Sequence, residues 1–186
     1  KNIISYINVT IDIINGTFAF VVITPLYDTD LWKFFKLMDK QKKTVSMISR
    51  RSLFDSILDG VIYIQKCGMK HLDLKPSNIL IKTDENGEYD GINCVIADFG
   101  IGGKNDTPSG LAGTPGFASP EQLIGFADWK SDNYSMGRLM IMLFCDWASG
   151  WTAIYKPMTD QDLSGLLVCQ AFSRLRDIIL DLVKVR

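Results

Sequence analysis

With 186 residues, 47% of them apolar, and 20 basic against 21 acidic side chains, the chain can bury one or two hydrophobic cores and is not composed like a disordered tail. A net charge of -1, with no run of five like charges, supplies no field to gather nucleic acid or anionic lipid, and "KQKK" at 40 to 43 reads as a solvated face. The longest apolar stretches, "FAFVVI" and "MIMLFC", fall short of the ~20 residues of a membrane span, and no basic-then-apolar export signal opens the chain.

In chain order, the β-rich segment "YINVTIDII" (6 to 14) leads to Asn15-Gly16, a pair that supplies the positive φ angles of a tight hairpin, and "TFAFVVI" (17 to 23) is the return strand, stopped by Pro25. Asp28 or Thr29 caps a short helix, "DLWKFFKLM". A second helix runs from about Thr44 to Cys67, with Leu53, Phe54, Ile57, Leu58, Val61 and Ile62 at helical spacing and Gly68 ending it. Two short strands follow, "NILIK" and "NCVIADF", joined by the polar hairpin segment "TDENGEYDG", which lacks the ligand alternation and closing glutamate of a calcium loop. Gly100 to Gly116, with six glycines, two prolines and no periodicity, is a loop. From Asp132 the pattern is helical: "DNYSMGRLMIMLF", a shorter helix near 160 to 170, then "SRLRDIILDLV" with Leu175, Ile178, Ile179 and Leu182 on one face. Cys67, Cys94, Cys145 and Cys169 form no C-x-x-C pair, so they read as reduced thiols of a cytosolic or nuclear protein.

The stretch "HLDLKPSNIL" (71 to 80) carries the only histidine of the chain together with Asp73, Lys75 and Asn78, a polar set that packing alone would not choose. Asp73 lies on a bend, Asn78 starts a strand, and Asp98 ends the strand expected to pair with it, so the three meet at one strand end. Two carboxylates and an amide oxygen suit a hard cation such as Mg²⁺, which takes one or two carboxylates beside phosphate. No serine or cysteine has a base for acyl transfer, whereas phosphoryl transfer needs mainly metal, positive charge and an orienting residue.

On these residues the chain resembles the eukaryotic protein kinase family, Ser/Thr type. "HLDLKPSN" is similar to its catalytic loop, "DFG" at 98 to 100 to its metal-binding triplet, "GTPGFASPE" at 113 to 121 to the end of its activation segment, and "DNYSMG" at 132 to 137 to its central large-lobe helix. The resemblance implies an α+β, kinase-like fold: a partial β-strand small lobe at 1 to 23, then a hinge and a mostly helical large lobe from 24 to 186. It implies ATP and Mg²⁺ as cofactors and a protein substrate as partner. Asp73 would orient the substrate hydroxyl, Lys75 would neutralise the transferring phosphate, Thr114 would bond both, and Asn78 and Asp98 would hold metal. Leu80 would pack on the adenine, Ile23 would be the gatekeeper, Thr24 to Leu26 the hinge, and Asp30 a ribose ligand, with a plain helix cap as its competing role. His71 would be structural, stacked on Phe99 with its loop held by Asp132, and Glu121 would pair with an arginine late in the large lobe.

Two departures stand out. "KNIISY" resembles the turn before the family's fourth small-lobe strand, so no glycine-rich loop, third-strand lysine or helical glutamate precedes it. The chain also ends before the arginine expected for Glu121; about a third of a kinase domain of ordinary size is then absent, and residues 1 to 186 alone are expected to be inactive. Leu72 stands where most of the family has an arginine that meets an activation-loop phosphate; Thr107 and Ser109 occupy the usual phosphorylation region, with Lys104 its only basic residue. The alternatives are a catalytically dead kinase-like scaffold, disfavoured by the joint presence of Asp73, Lys75, Asn78 and Asp98, and a small-molecule kinase, in which "GTPGFASPE" and "DNYSMG" have no place.

Overall fold

The computed structural model describes residues 2–82, 93–107 and 110–144. The expectations for the segment 83 to 91, for Ser109, for Cys145 and Cys169 and for the two last helices lie outside these residues. The hairpin forms from strands β1 (Asn8–Ile14) and β2 (Thr17–Ile23), which pair antiparallel around Asn15 and Gly16 at φ 52° and 79°. Its apolar side chains stand in solvent: Phe18 and Phe20 are each 79% exposed.

Strand β3 (Thr29–Asp30) runs straight into helix α1 (Leu31–Lys40), which buries Leu31, Phe34, Phe35 and Met38. The cap is Asp30 and not Asp28 or Thr29, because Thr29 and Asp30 first pair with strand β5 (Ile79–Lys82) and the helix can begin only after them. Helix α2 (Met47–Lys66) starts later than Thr44: the Ser46 hydroxyl accepts the Ser49 N–H at 3.1 Å and fixes the first turn. Gly68, at φ 69°, follows its C-cap.

After α2 comes the two-residue strand β4 (Met69–Lys70). Strand β5 pairs antiparallel with β6 (Asn93–Ile96), giving a sheet in the order β3-β5-β6. Residues 2 to 4 add to its free edge, where Ile4 N–H donates to the Ile96 carbonyl and Ile96 N–H to that of Asn2, each at 2.9 Å. Within the segment expected to be pure loop, strand β7 (Gly103–Lys104) pairs with β4. Helix α3 (Trp129–Phe144) begins before Asp132, because the Asp128 carboxylate receives the Lys130 N–H at 2.7 Å and opens the turn early. The core gathers Leu53, Ile57, Val61 and Ile64 of α2, Ile79, Ile81, Cys94 and Ile96 of the sheet, and Leu139 and Leu143 of α3. That core is the platform from which the loop after β4 rises.

Candidate active site

The loop between β4 and β5 is held from below by one carboxylate. Asp132, fully buried on α3, accepts the backbone N–H groups of His71 and Leu72, each at 2.8 Å. Burial pushes the Asp132 carboxyl up, and the two amide donors oppose that by favouring the anion. Leu72 is 1% exposed and left-handed at φ 66°, a conformation that costs a non-glycine residue about 1 to 3 kcal/mol, and its carbonyl accepts the Gln122 amide at 2.5 Å. Asp132 and Gln122 thus pin the bend on both sides.

His71 is fully buried and stacks on Phe99 at 4.7 Å between ring centroids. Its Nε2 faces the Ala97 carbonyl at 3.0 Å, and its Nδ1 accepts the Asp73 N–H at 3.2 Å. A carbonyl can only accept and an amide N–H only donate, so the ring carries its proton on Nε2 and is neutral. Burial lowers its pKa, in keeping with that state. The imidazole therefore ties Asp73 to the strand end that precedes Asp98 and is no base.

Asp73, Lys75 and Thr114 form a closed triangle. The Lys75 ammonium lies 2.6 Å from Asp73 Oδ2 and donates to Thr114 Oγ1 at 2.8 Å, and that hydroxyl donates to Asp73 Oδ1 at 2.7 Å. The Asn78 amide adds donors to the Asp73 carbonyl at 2.9 Å and to Oδ2 at 3.2 Å. A carboxylate offers about four acceptor sites, so three donors leave room for one more. Thr114 reaches this position because the preceding residue is Gly113: at φ 105°, a Cβ there would run into Gln122 and Ala118.

Asn78 closes the 3-10 turn Pro76–Asn78 and does not start the strand, as the sequence led us to expect; the proline ring favours the turn. Asp98 lies two residues beyond β6, left-handed at φ 64°, and does not end it. The two still share one ladder end, since Ala97 N–H donates to the Asn78 carbonyl at 2.9 Å. The exposed Asp98 carboxylate accepts the Gly100 N–H at 3.3 Å, and the Asn78 NH₂ is turned to Asp73, so its amide oxygen is the atom that could ligate a metal. Among the described residues no three His, Cys, Asp or Glu side chains cluster to hold a metal by themselves. One carboxylate and one amide oxygen fit Mg²⁺, which completes its shell with phosphate and water.

Of the nucleotide candidates, Thr24, Leu26, Asp30 and Leu80 line one open pocket of about 340 Å³, a size usual for small-molecule sites. Asp30 and Leu80 face each other across β3 and β5. Both Asp30 oxygens are engaged by Lys33, one by its N–H at 2.9 Å and one by its ammonium at 2.9 Å, so the cap role is the one the geometry displays. Ile23 does not line the pocket and is 43% exposed at the end of β2.

Two basic residues escaped the sequence reading. Lys70 is 2% exposed, and its ammonium donates to the backbone carbonyls of Thr107 at 2.7 Å and Ala127 at 3.3 Å. Arg138, 1% exposed on α3, donates to the Gly116 carbonyl at 2.7 Å, and the neighbouring Ser135 hydroxyl donates to that of Phe117 at 2.8 Å. Charged side chains at helical or strand positions read as surface in a sequence; no pattern marks their turn inward.

Comparison with known proteins gives one family match, described as protein kinase domain, over residues 1–168. A probable serine/threonine-protein kinase of Dictyostelium discoideum is 33% identical over 103 residues, covering 51% of this chain and 14% of its own length. A probable myosin light chain kinase of the same organism is 32% identical over 116 residues, 60% of this chain and 32% of its own. A serine/threonine-protein kinase of Mycobacterium tuberculosis is 30% identical over 128 residues, 59% and 26%. The chain thus spans less than a third of the length of each of these relatives. Among the described residues no helix is long and apolar enough to cross a membrane.

Proposed function

The chain belongs to the protein kinase domain family, and from that premise we propose that its protein transfers the terminal phosphoryl group of ATP to serine and threonine hydroxyls of protein substrates. The Asp73–Lys75–Thr114 triangle carries this reading. On the same reading, residues 1 to 23 belong to the small lobe and 24 to 186 to the hinge and large lobe.

Bound ATP with Mg²⁺ would supply the phosphoryl group and a leaving group whose charge the cation shares; Asn78 and Asp98 would hold the cation. The fourth acceptor site of Asp73 receives the substrate hydroxyl and aims its oxygen, and as the new O–P bond forms and the bond to the ADP oxygen breaks, the hydroxyl proton passes to that carboxylate. Lys75 places a fixed positive charge beside the transferring group, and Thr114 keeps ammonium and carboxylate in register. The pocket at Thr24, Leu26 and Leu80 is the room for the base. A silent scaffold would have no use for a carboxylate, an ammonium and a hydroxyl drawn into one bonded set at a strand end, since burying them costs free energy.

The test is transfer of label from γ-labelled ATP by the full-length protein to a mixed peptide pool with Mg²⁺ present, followed by identification of the labelled amino acid. Label on serine and threonine is the expected result. No transfer, or label on tyrosine alone, would overturn it.

A further inference from the structure

The peptide plane that joins Leu72 to Asp73 is held at both edges. Its N–H, that of Asp73, donates to His71 Nδ1 at 3.2 Å, and its carbonyl, that of Leu72, accepts the Gln122 amide at 2.5 Å. Because a peptide unit is rigid, bonds at its two opposite edges fix the direction in which the Asp73 side chain leaves the backbone. Leu72 is left-handed at φ 66°, a conformation that leucine disfavours, so the chain would not keep that direction unaided.

The same amide reaches the other half of the triangle. Gly113 precedes Thr114, and a Cβ on Gly113 would overlap the Gln122 Nε2. The Gln122 amide thus lies between the residue before Asp73 and the residue before Thr114, and the 2.7 Å bond from Thr114 Oγ1 to Asp73 Oδ1 closes the bracket. Its mount is firm. Gln122 is fully buried in the 3-10 turn Gln122–Ile124, where its N–H donates to the Ser119 hydroxyl at 3.4 Å and its carbonyl accepts the Gly125 N–H at 3.1 Å. The Ser119 hydroxyl in turn donates to that of Ser131 on α3 at 3.1 Å. The chemistry of the position is narrow: the Leu72 carbonyl needs a donor, which glutamine supplies without charge, whereas a carboxylate would set acceptor against acceptor and an aliphatic side chain would offer no bond. Gln122 also stands one residue past "GTPGFASPE", outside the stretches that carry the family resemblance.

We propose that Gln122 is a positioning residue for phosphoryl transfer: through the Leu72 carbonyl and the Gly113 backbone it sets the Asp73 carboxylate at the angle, and at the distance from Thr114, at which it receives the substrate hydroxyl. This rests on the phosphotransfer reading above and deepens it. Gln122 acts on the carboxylate through the backbone, so its loss slows turnover and leaves substrate binding in place.

The experiment uses the full-length protein with γ-labelled ATP, Mg²⁺ and a serine peptide, and counts turnover per folded molecule. Gln122→Met keeps the volume and removes the donor; kcat should fall about tenfold, with KM for ATP and for peptide within about twofold. Gln122→Glu has the same shape but donates only while protonated. Asp132, bonded to the Leu72 N–H, and Asp73 are the anions beside the new carboxyl, and Lys75 is the cation bound to Asp73. Burial and the two anions favour the protonated form, so kcat of Gln122→Glu should approach that of the wild type near about pH 6 and fall about tenfold toward about pH 9, a limb absent from the wild type. A role in packing alone would lower the melting temperature and leave both readouts unchanged. A kcat of Gln122→Met within about twofold of the wild type, a loss of nucleotide affinity equal to the loss of turnover, or a Gln122→Glu profile parallel to that of the wild type overturns the positioning role and leaves phosphotransfer standing. Should Gln122→Met not fold, the Gln122→Glu profile decides alone. A wild type that labels no peptide overturns both.

Discussion

Asp73 has three donors on its carboxylate before any substrate arrives, and each can be removed separately. The Thr114 hydroxyl is the one that both accepts from Lys75 and donates to Asp73. Thr114→Ala should therefore lower kcat by about tenfold or more as the two charged groups lose their common partner, each lost charged hydrogen bond being worth ~1.5 to 3 kcal/mol, while Thr114→Ser restores most of it. Steady-state kinetics of the two variants checks this; equal loss in both would mean that the methyl group, not the hydroxyl, matters. Cysteine chemistry gives a second check at this scale. Burial pushes the Cys94 thiol up to about 12, whereas Cys67 is exposed at the end of α2. The thiolate is the reactive form, so at pH 8 Cys94 stays almost wholly protonated and inert. Alkylation mapped by mass spectrometry should mark Cys67 and spare Cys94 until the protein unfolds. Asp73, Lys75 and Asn78 stood out in the sequence because no packing argument places such side chains together, whereas Thr114 was named only through the family resemblance. Lys70, Gln122 and Arg138 did not stand out, because what makes them matter is the depth at which the fold seats them.

At the scale of elements, β4 and β7 explain how a chain with Leu72 at the bend can hold the segment that the kinase reading proposes as its activation segment. The β4–β7 pairing and the Lys70 bond to Thr107 fasten the segment from 103 to 107, and the Asn105 N–H donates to the Gly68 carbonyl at 2.9 Å. Because Lys70 uses the main-chain carbonyl of Thr107, the contact survives Thr107→Ala, which removes only the local bond from the Thr107 hydroxyl to the Lys104 carbonyl. We predict that Thr107→Ala with Ser109→Ala leaves activity within a few-fold and that phosphatase treatment does the same. Lys70→Met should instead break the ammonium's bonds to the Thr107 and Ala127 carbonyls, cost about 1 to 3 kcal/mol and speed hydrogen exchange at residues 103 to 107. Activity lost on phosphatase treatment and regained on rephosphorylation would contradict this. Two-residue strands such as β3, β4 and β7 carry no periodicity, which is why the sequence showed α2 and the hairpin but read this region as loop. Helix starts moved by a few residues for a related reason: the capping side chain is chosen by what the preceding backbone is already bonded to, as at Asp30.

Across the whole molecule, α2 is the post against which the N-terminal residues, the sheet and α3 are assembled. Gly60 marks the tightest point: a Cβ there would come 2.7 Å from Ile96 Cδ1 and 3.0 Å from the Asn2 carbonyl oxygen. Although alanine is the better helix former, Gly60→Ala should lower stability by about 1 to 3 kcal/mol, measured by denaturant unfolding, because sheet and N-terminal segment must shift together. Since β6 also carries the chain to Asp98, the same shift would reach that carboxylate, the proposed metal ligand. The central claim, that one strand end divides its labour between a hydroxyl-orienting carboxylate and a metal-holding one, is tested most directly by comparing Asp73→Asn and Asp98→Asn in the full-length protein for Mg²⁺-dependent nucleotide binding and for turnover. Asp73→Asn should keep binding within a few-fold while turnover falls by about 10² to 10⁴, and Asp98→Asn should lose the metal-dependent binding itself. Equal loss of nucleotide binding in the two variants would contradict the account.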